Sequence, residues 1–385
     1  MIKKSLFIVS LLLVSILLLS SCSPAATPTA QIVPVTVTPP EEKATQSPQE
    51  EAGQVQITIQ DALDRTVTLD KAPERIVLAG KAVFMVTDAV YAFPGASSQI
   101  VGISNTNQGR GDFISILDPN YASKVTLAND VGPEQVAALQ PDLVILKSYL
   151  AESLGSPLET LGIPVVYLNL ETPEQYSTDL ATLGQVFQNE ERAAELIGYY
   201  NETVSKVASA TAGMDEAEKP RVLLLYYSEK EGNIAFNVPP KGYIQTFLVE
   251  TAGGIPVWLD IELGSGWTKV GLEQIAAWDP DQIYVVSYIK NAELVVDDLK
   301  ADPNWQGLKA VTAEQIYAFP ADFYSWDQPD VRWVLGLQWL ASKIHPDLWT
   351  DFNSVQAAMG FFEKLYGIDN TTVLELITPL MTGIQ

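Results

Sequence analysis

The sequence predicts an α/β protein of two lobes, each a mostly parallel sheet with flanking helices, joined by one long helix. Three observations carry this. Short aliphatic and β-branched runs alternate with longer helical ones from Gln54 onward, the pattern of strand–helix–strand units that bury a parallel sheet. The alternation stops in a continuous helical stretch at residues 173–212 and restarts after Lys219-Pro220. The chain has 385 residues, enough for a core in each of two lobes.

The elements follow in order. Residues 55–59 and 66–69 alternate apolar and polar side chains, predicting a hairpin around residues 62–65. Residues 75–80 form an apolar run ending in Gly80, and residues 141–146 and 163–168 are two further runs of this kind, each after a helix-like stretch. The long helical stretch breaks near Asn189. Its second part carries Ala193, Leu196, Ile197, Tyr200, Val204 and Val207 on one face. The second lobe has strands at residues 221–227, 282–286 and 315–319, with helices at 243–252 and 272–277 between them. A last long helix covers residues 329–344, and His345-Pro346 ends it.

Before this body lies a different kind of chain. Lys3 and Lys4 precede an apolar run from Leu6 to Leu19, the form of a secretory signal and short for a transmembrane helix. Leu19-Ser20-Ser21-Cys22 resembles the bacterial lipobox, which implies that Cys22 is diacylated and becomes the mature N-terminus. Residues 23–53 carry Pro24, Pro28, Pro34, Pro39, Pro40 and Pro48 and show no apolar period, so a disordered tether is expected. The predicted organisation is therefore signal 1–21, lipid-anchored linker 22–53, first lobe 54–171, helical connection 172–213, second lobe 214–345 and C-terminal extension 346–385. This puts the protein outside the cytoplasmic membrane and anchored to it.

Composition narrows function by exclusion. A formal net charge of −24 argues against nucleic acid as a partner. One cysteine rules out an internal disulfide framework, and one histidine leaves a bare transition metal without its usual imidazole set. No Walker-type phosphate loop occurs. An extracellular hydrolase, such as a glycosidase using two carboxylates, is the competing class, but no acidic pair stands out. The tripeptide Arg110-Gly111-Asp112 alone supports no adhesive role.

Several segments together resemble one known family. These are Ala72-Pro73-Glu74-Arg75-Ile76-Val77, Pro133-Glu134-Gln135-Val136 with Pro141-Asp142-Leu143-Val144, Ala252-Gly253-Gly254, Leu272-Glu273-Gln274-Ile275 with Pro280-Asp281, and residues 305–310. In this order and spacing they resemble the substrate-binding lipoproteins of iron-complex and cobalamin uptake ABC transporters. The resemblance runs from Val55 to about Gly367. It implies no enzymatic activity, a monomer, and no cofactor beyond a chelated-metal cargo: ferric siderophore, haem or corrinoid, with molybdate or tungstate as an alternative. It also implies an ABC permease dimer and its ATPase as partners. Glu134 and Glu273 match the family's docking glutamates, one on each lobe, although helix-dipole stabilisation alone would also account for a carboxylate there. Asp64 stands where the family often has glycine, which would alter the hairpin turn. The tail at residues 361–367 resembles one branch of the family and is expected to pack as an extra helix.

Candidate ligand contacts lie in loops at predicted strand ends, where such folds bind. They are Lys81, Asn105, Arg110, Lys147 and Tyr149 in the first lobe, and Tyr227, Trp267, Tyr288, Tyr324 and Trp326 in the second. Arginine and lysine suit ligand carboxylates or phosphates, and aromatic rings suit the faces of a large planar ligand. Surface solvation of the charges and packing of the aromatics beneath their loops are the competing readings. Trp305, Trp333 and Trp339 are expected in the core, and His345 is expected to be structural.

Overall fold

A computed structural model of the chain describes residues 56–106 and 108–384. Strands β1 (Ile57–Gln60) and β2 (Thr66–Leu69) pair antiparallel as the opening hairpin. Asp64 at its turn has φ 57°, the left-handed region in which glycine is easiest and aspartate is among the better-tolerated substitutes. The Asp61 carboxylate holds this turn, accepting from the backbone N–H of Leu63 and Arg65.

The first lobe is built on five parallel strands: β3 (Ile76–Leu78), β4 (Ile100–Ser104), β5 (Val125–Leu127), β6 (Leu143–Lys147) and β7 (Val165–Leu168). Their order is β5-β4-β3-β6-β7. Strands β3, β6 and β7 are buried along their whole length, as helices on either side of a parallel sheet require. Strands β4 and β5 are additions to the predicted set. Gly102 interrupts the aliphatic signal of β4, and a Cβ there would lie 2.5 Å from Leu139 Cδ1. A side chain there would have to displace the end of Leu139.

The connection is two helices, Pro173–Val186 and Glu190–Ala210, rather than a single rod. Gln188 turns left-handed between them with φ 51°, and Asn189 caps the second by accepting from Arg192 N.

The second lobe holds β8 (Arg221–Lys230), β9 (Asn233–Val238), β10 (Ile255–Pro256), β11 (Thr268–Val270), β12 (Gln282–Val286) and β13 (Ile316–Ala318). The order is β11-β9-β8-β12-β13, with β10 paired parallel to β8. Strands β8, β12 and β13 run parallel, and β9 and β11 extend the sheet antiparallel. Trp305, Trp333 and Trp339 are core residues. His345 is buried against the carbonyl of Gly253, 3.1 Å from its Nε2.

The described residues cluster as one unit. The C-terminal helix Ser354–Tyr366 contributes, since Tyr366 Oη donates to the Asp88 carbonyl in the first lobe at 2.9 Å. Further on, Ala321 and Thr382 exchange backbone hydrogen bonds in the second lobe. The extension thus touches both lobes. Among the described residues no helix is long and apolar enough to cross a membrane.

Candidate functional site

The carboxyl ends of the parallel strands in both lobes supply the candidate residues. Lys81 follows β3, Asn105 follows β4 and Lys147 closes β6, while Tyr288 follows β12 and Tyr324 follows β13. Loops at this edge are free to carry function because the strands behind them carry the packing.

On the first lobe the charged candidates divide. Lys147 is only 1% exposed, and its Nζ lies 2.6 Å from Glu171 Oε1 while also donating to the Asn169 carbonyl. Burial pulls its pKa down against the pull of Glu171 upward. It anchors the chain entering the connecting helices, so its ammonium is already engaged. Tyr149 is 55% exposed, and its hydroxyl donates to the Lys81 carbonyl at 2.9 Å. Its phenol is pushed up to about 12, by burial first and by Glu171 second. The same carboxylate, after burial, raises Tyr243 of the second lobe. Glu171, absent from the sequence candidates, therefore acts on tyrosines of both lobes. Lys81 and Asn105 are exposed.

Arg110 serves another purpose. Its N–H donates to Phe323 O at 2.8 Å, and its Nη1 donates to Leu380 O at 3.2 Å. A first-lobe loop is thereby clipped to the second lobe. Gly109 makes the approach possible: with φ 91°, a Cβ there would sit 2.7 Å from Phe323 O and 2.5 Å from a Tyr324 ring carbon.

The second lobe presents an aromatic wall. Tyr226 stacks on Tyr288 with ring centres 4.6 Å apart, and Trp267 meets Tyr226 at 5.0 Å. Tyr243 stands 6.2 Å from Trp267, edge on. Tyr288 Oη donates to the buried Asp327 Oδ2 at 2.8 Å. Tyr227 lies on the opposite strand face from Tyr226. Its hydroxyl donates to Glu229 at 2.9 Å, and Lys290 sits 5.6 Å over its ring. Alternation within β8 would have distinguished the two tyrosines. Trp326 is wholly buried, its Nε1 donating to Asp322 Oδ2 at 3.0 Å, so it has no face left for a ligand and is a core residue.

Tyr324 is also buried, stacked on Phe84 of the first lobe at 4.3 Å. It closes one end of a cavity of about 630 Å³ whose other lining residues come from the first lobe, among them Thr87, Asp88, Ser104, Asn105 and Asp112. Behind this cavity, Arg332 Nη1 lies 2.6 Å from Asp88 Oδ2 and 3.1 Å from Asp330 Oδ2, and its Nε lies 2.6 Å from Asp322 Oδ1. All four side chains are fully buried. Burial raises the Asp88 and Asp330 pKa values, and Arg332 opposes the rise.

Glu134 and Glu273 occupy equivalent places. Each is the second residue of a short helix, Pro133–Ala137 or Leu272–Trp278, entered from an extended glycine, Gly132 or Gly271. Both are exposed. Cys22 and the proposed tether lie outside the described residues.

Two α/β lobes with an aromatic wall and a cavity at their strand ends define a solute-binding protein. The chain belongs to the periplasmic binding protein family, whose model matches residues 76–323. Molybdate-binding protein MolA of Haemophilus influenzae is 23% identical over 333 residues, covering 80% of this chain and 90% of that protein. Its molybdate-bound structure, described as the periplasmic binding protein of an ABC transporter, matches with a TM-score of 0.63 at 19% identity, over 81% of this chain and 98% of that one. A cobalamin-binding protein of Halobacterium salinarum is 25% identical over 228 residues, 59% of this chain and 58% of that protein. A periplasmic solute binding protein from Veillonella parvula matches with a TM-score of 0.65 at 25% identity, over 82% of this chain and 95% of that one. The protein is a solute-binding component of an ABC transporter and not an enzyme.

Proposed function

We propose that the protein receives a chelated metal, as a ferric siderophore, haem or corrinoid, and delivers it to an ABC permease dimer and its ATPase, while acylated Cys22 holds it at the outer face of the membrane. The aromatic wall of Tyr226, Tyr288 and Trp267 carries this reading. Such rings cover the faces of a bulky chelate or macrocycle, which brings its own metal ligands. The chain's one histidine supports it, because His345 is buried and bonded to Gly253 O rather than available as a ligand. Exposed Glu134 and Glu273, one on each lobe, suit two docking contacts with a permease dimer, where charge pairs set orientation and association rate.

Tryptophan fluorescence tests the reading directly. Haem, cobalamin and ferric siderophores are titrated alongside molybdate, with Trp267→Ala as the control. Saturable quenching by a chelate, weakened in the variant, supports the proposal. Saturable binding of molybdate alone would favour the second reading, an oxyanion cargo, which the similarity to MolA supports.

A further inference from the structure

The cavity between Tyr324 and the first lobe has a chemical character of its own. No lysine, arginine or histidine is among its lining residues, while two carboxylates, Asp88 and Asp112, are. Asp112 is exposed and offers its charge at the mouth. One of its oxygens, Oδ1, accepts from Ile114 N at 3.2 Å, which orients the group. Asp88 is fully buried, and its Oδ1 has no hydrogen-bond partner. A buried carboxylate oxygen left unpaired costs free energy that a donor would recover.

None of the basic residues nearby lines the cavity. The Arg110 guanidinium donates to Leu380 O, and Lys124 pairs with Asp118 at 3.1 Å. Lys81 stands on the adjoining loop after β3 and does not line the cavity. Arg332 lies behind the floor, but Asp88, Asp322 and Asp330 share that single guanidinium. Three carboxyl groups thus face one guanidinium on that side of the cavity. The remaining lining includes polar Thr87, Ser104 and Asn105 and apolar Val83 and Phe84 beside the Tyr324 ring.

We infer that this cavity takes a positively charged, hydrogen-bond-donating arm of the cargo, an alkylammonium, and disfavours tetrahedral oxyanions. A cation there gains from Asp112 and from the acidic floor, whereas an oxyanion meets like charge and no cationic donor. This rests on the carrier reading above and divides its ligand class: chelates with a protonated amine arm are favoured over anionic ones.

The test uses two ferric complexes that differ at one group. Ferrioxamine B is a ferric trihydroxamate with a pendant primary ammonium, and its N-acetyl derivative has the same iron core with that charge removed. Both are titrated into the folded protein, alongside molybdate and cobalamin. Ferrioxamine B is expected to bind at least about tenfold more tightly than the N-acetyl complex. Asp112→Asn, which keeps an oxygen for Ile114 N, is expected to reduce that preference several-fold without lowering the melting temperature. Equal affinity for the two complexes, a preference unmoved by Asp112→Asn, or binding of molybdate or cobalamin with neither ferric complex overturns the inference. Of these, binding of both ferric complexes equally or of cobalamin leaves the carrier reading standing. Binding of no chelate overturns both.

Discussion

Arg332 and Asp88 join the two lobes through a wholly buried ion pair, Nη1 to Oδ2 at 2.6 Å. Asp88 belongs to the first-lobe helix Val83–Tyr91, and Arg332 immediately precedes the second-lobe helix Trp333–Ile344. The guanidinium also lies 4.5 Å from the Phe113 ring and 5.8 Å from the Phe362 ring of the C-terminal helix. One side chain therefore touches both lobes and the extension. Lobes held by such a contact are suited to binding with little closure.

Removing that guanidinium leaves three buried carboxyl groups without a counter-charge. Arg332→Met is expected to cost about 3–5 kcal/mol, the usual penalty for breaking a buried pair from one side. Urea unfolding at neutral pH checks this. A loss below about 1 kcal/mol would mean that the carboxyl groups take up protons at little cost.

Acid should stabilise the protein before it denatures it. Asp179 is buried under the start of the connection, accepting from Asn169 N at 2.8 Å and Leu170 N at 2.6 Å. Burial raises its pKa from 3.8 to about 6. A carboxyl raised in the folded state binds its proton there first. Its contribution to stability is therefore complete below pH about 4 and is lost as pH rises through about 6. Stability should climb as pH falls from 7 to 5, by up to roughly 1.4 kcal/mol per pH unit for one proton. Asp179→Asn should flatten that slope in melts taken from pH 4 to 7.

Trp267 and Trp326 separate binding from folding. Trp326 is fully buried with a satisfied Nε1, so Trp326→Ala should cost about 3–5 kcal/mol. Trp267 is half-buried at the edge of the aromatic wall, so Trp267→Ala should unfold at nearly the wild-type urea concentration while losing most chelate-induced quenching. Equal loss of stability in both variants would place Trp267 in the core.

For delivery, the double variant Glu134→Ala, Glu273→Ala should lose uptake by at least about tenfold in whole cells, with ligand affinity unchanged in vitro. Both residues are exposed at helix starts, so melting should move little. A drop in affinity instead would place one of them at the ligand.

Much of the framework was legible along the chain. Uninterrupted aliphatic runs such as Leu143–Lys147 and Gln282–Val286 stand out because a strand buried on both faces has no polar alternation. The helical break near Asn189 was equally visible, since asparagine is a natural cap. Short strands β5, β10 and β11 were not, because each includes a polar residue or a proline, unlike the equally short β3 and β13. Strand β9 owes its place to pairing with β8 and β11 rather than to its own apolar content.

The roles of individual candidates depend on their partners. Strand-end position singled out Lys147, Arg110 and Trp326, yet each is engaged: by Glu171, by two carbonyls of distant segments, and by Asp322. Conversely, Tyr226 and Tyr243 take their places by packing on Tyr288 and Trp267 within the second lobe, and Glu171 acts on tyrosines of both lobes only when the lobes meet. Periodicity along one chain determines which residues are buried and in what elements, because those preferences are local. Which carboxylates share Arg332, and which aromatics face one another at the strand ends, follows from contacts between residues as far apart as Asp88 and Arg332, and only packing decides them.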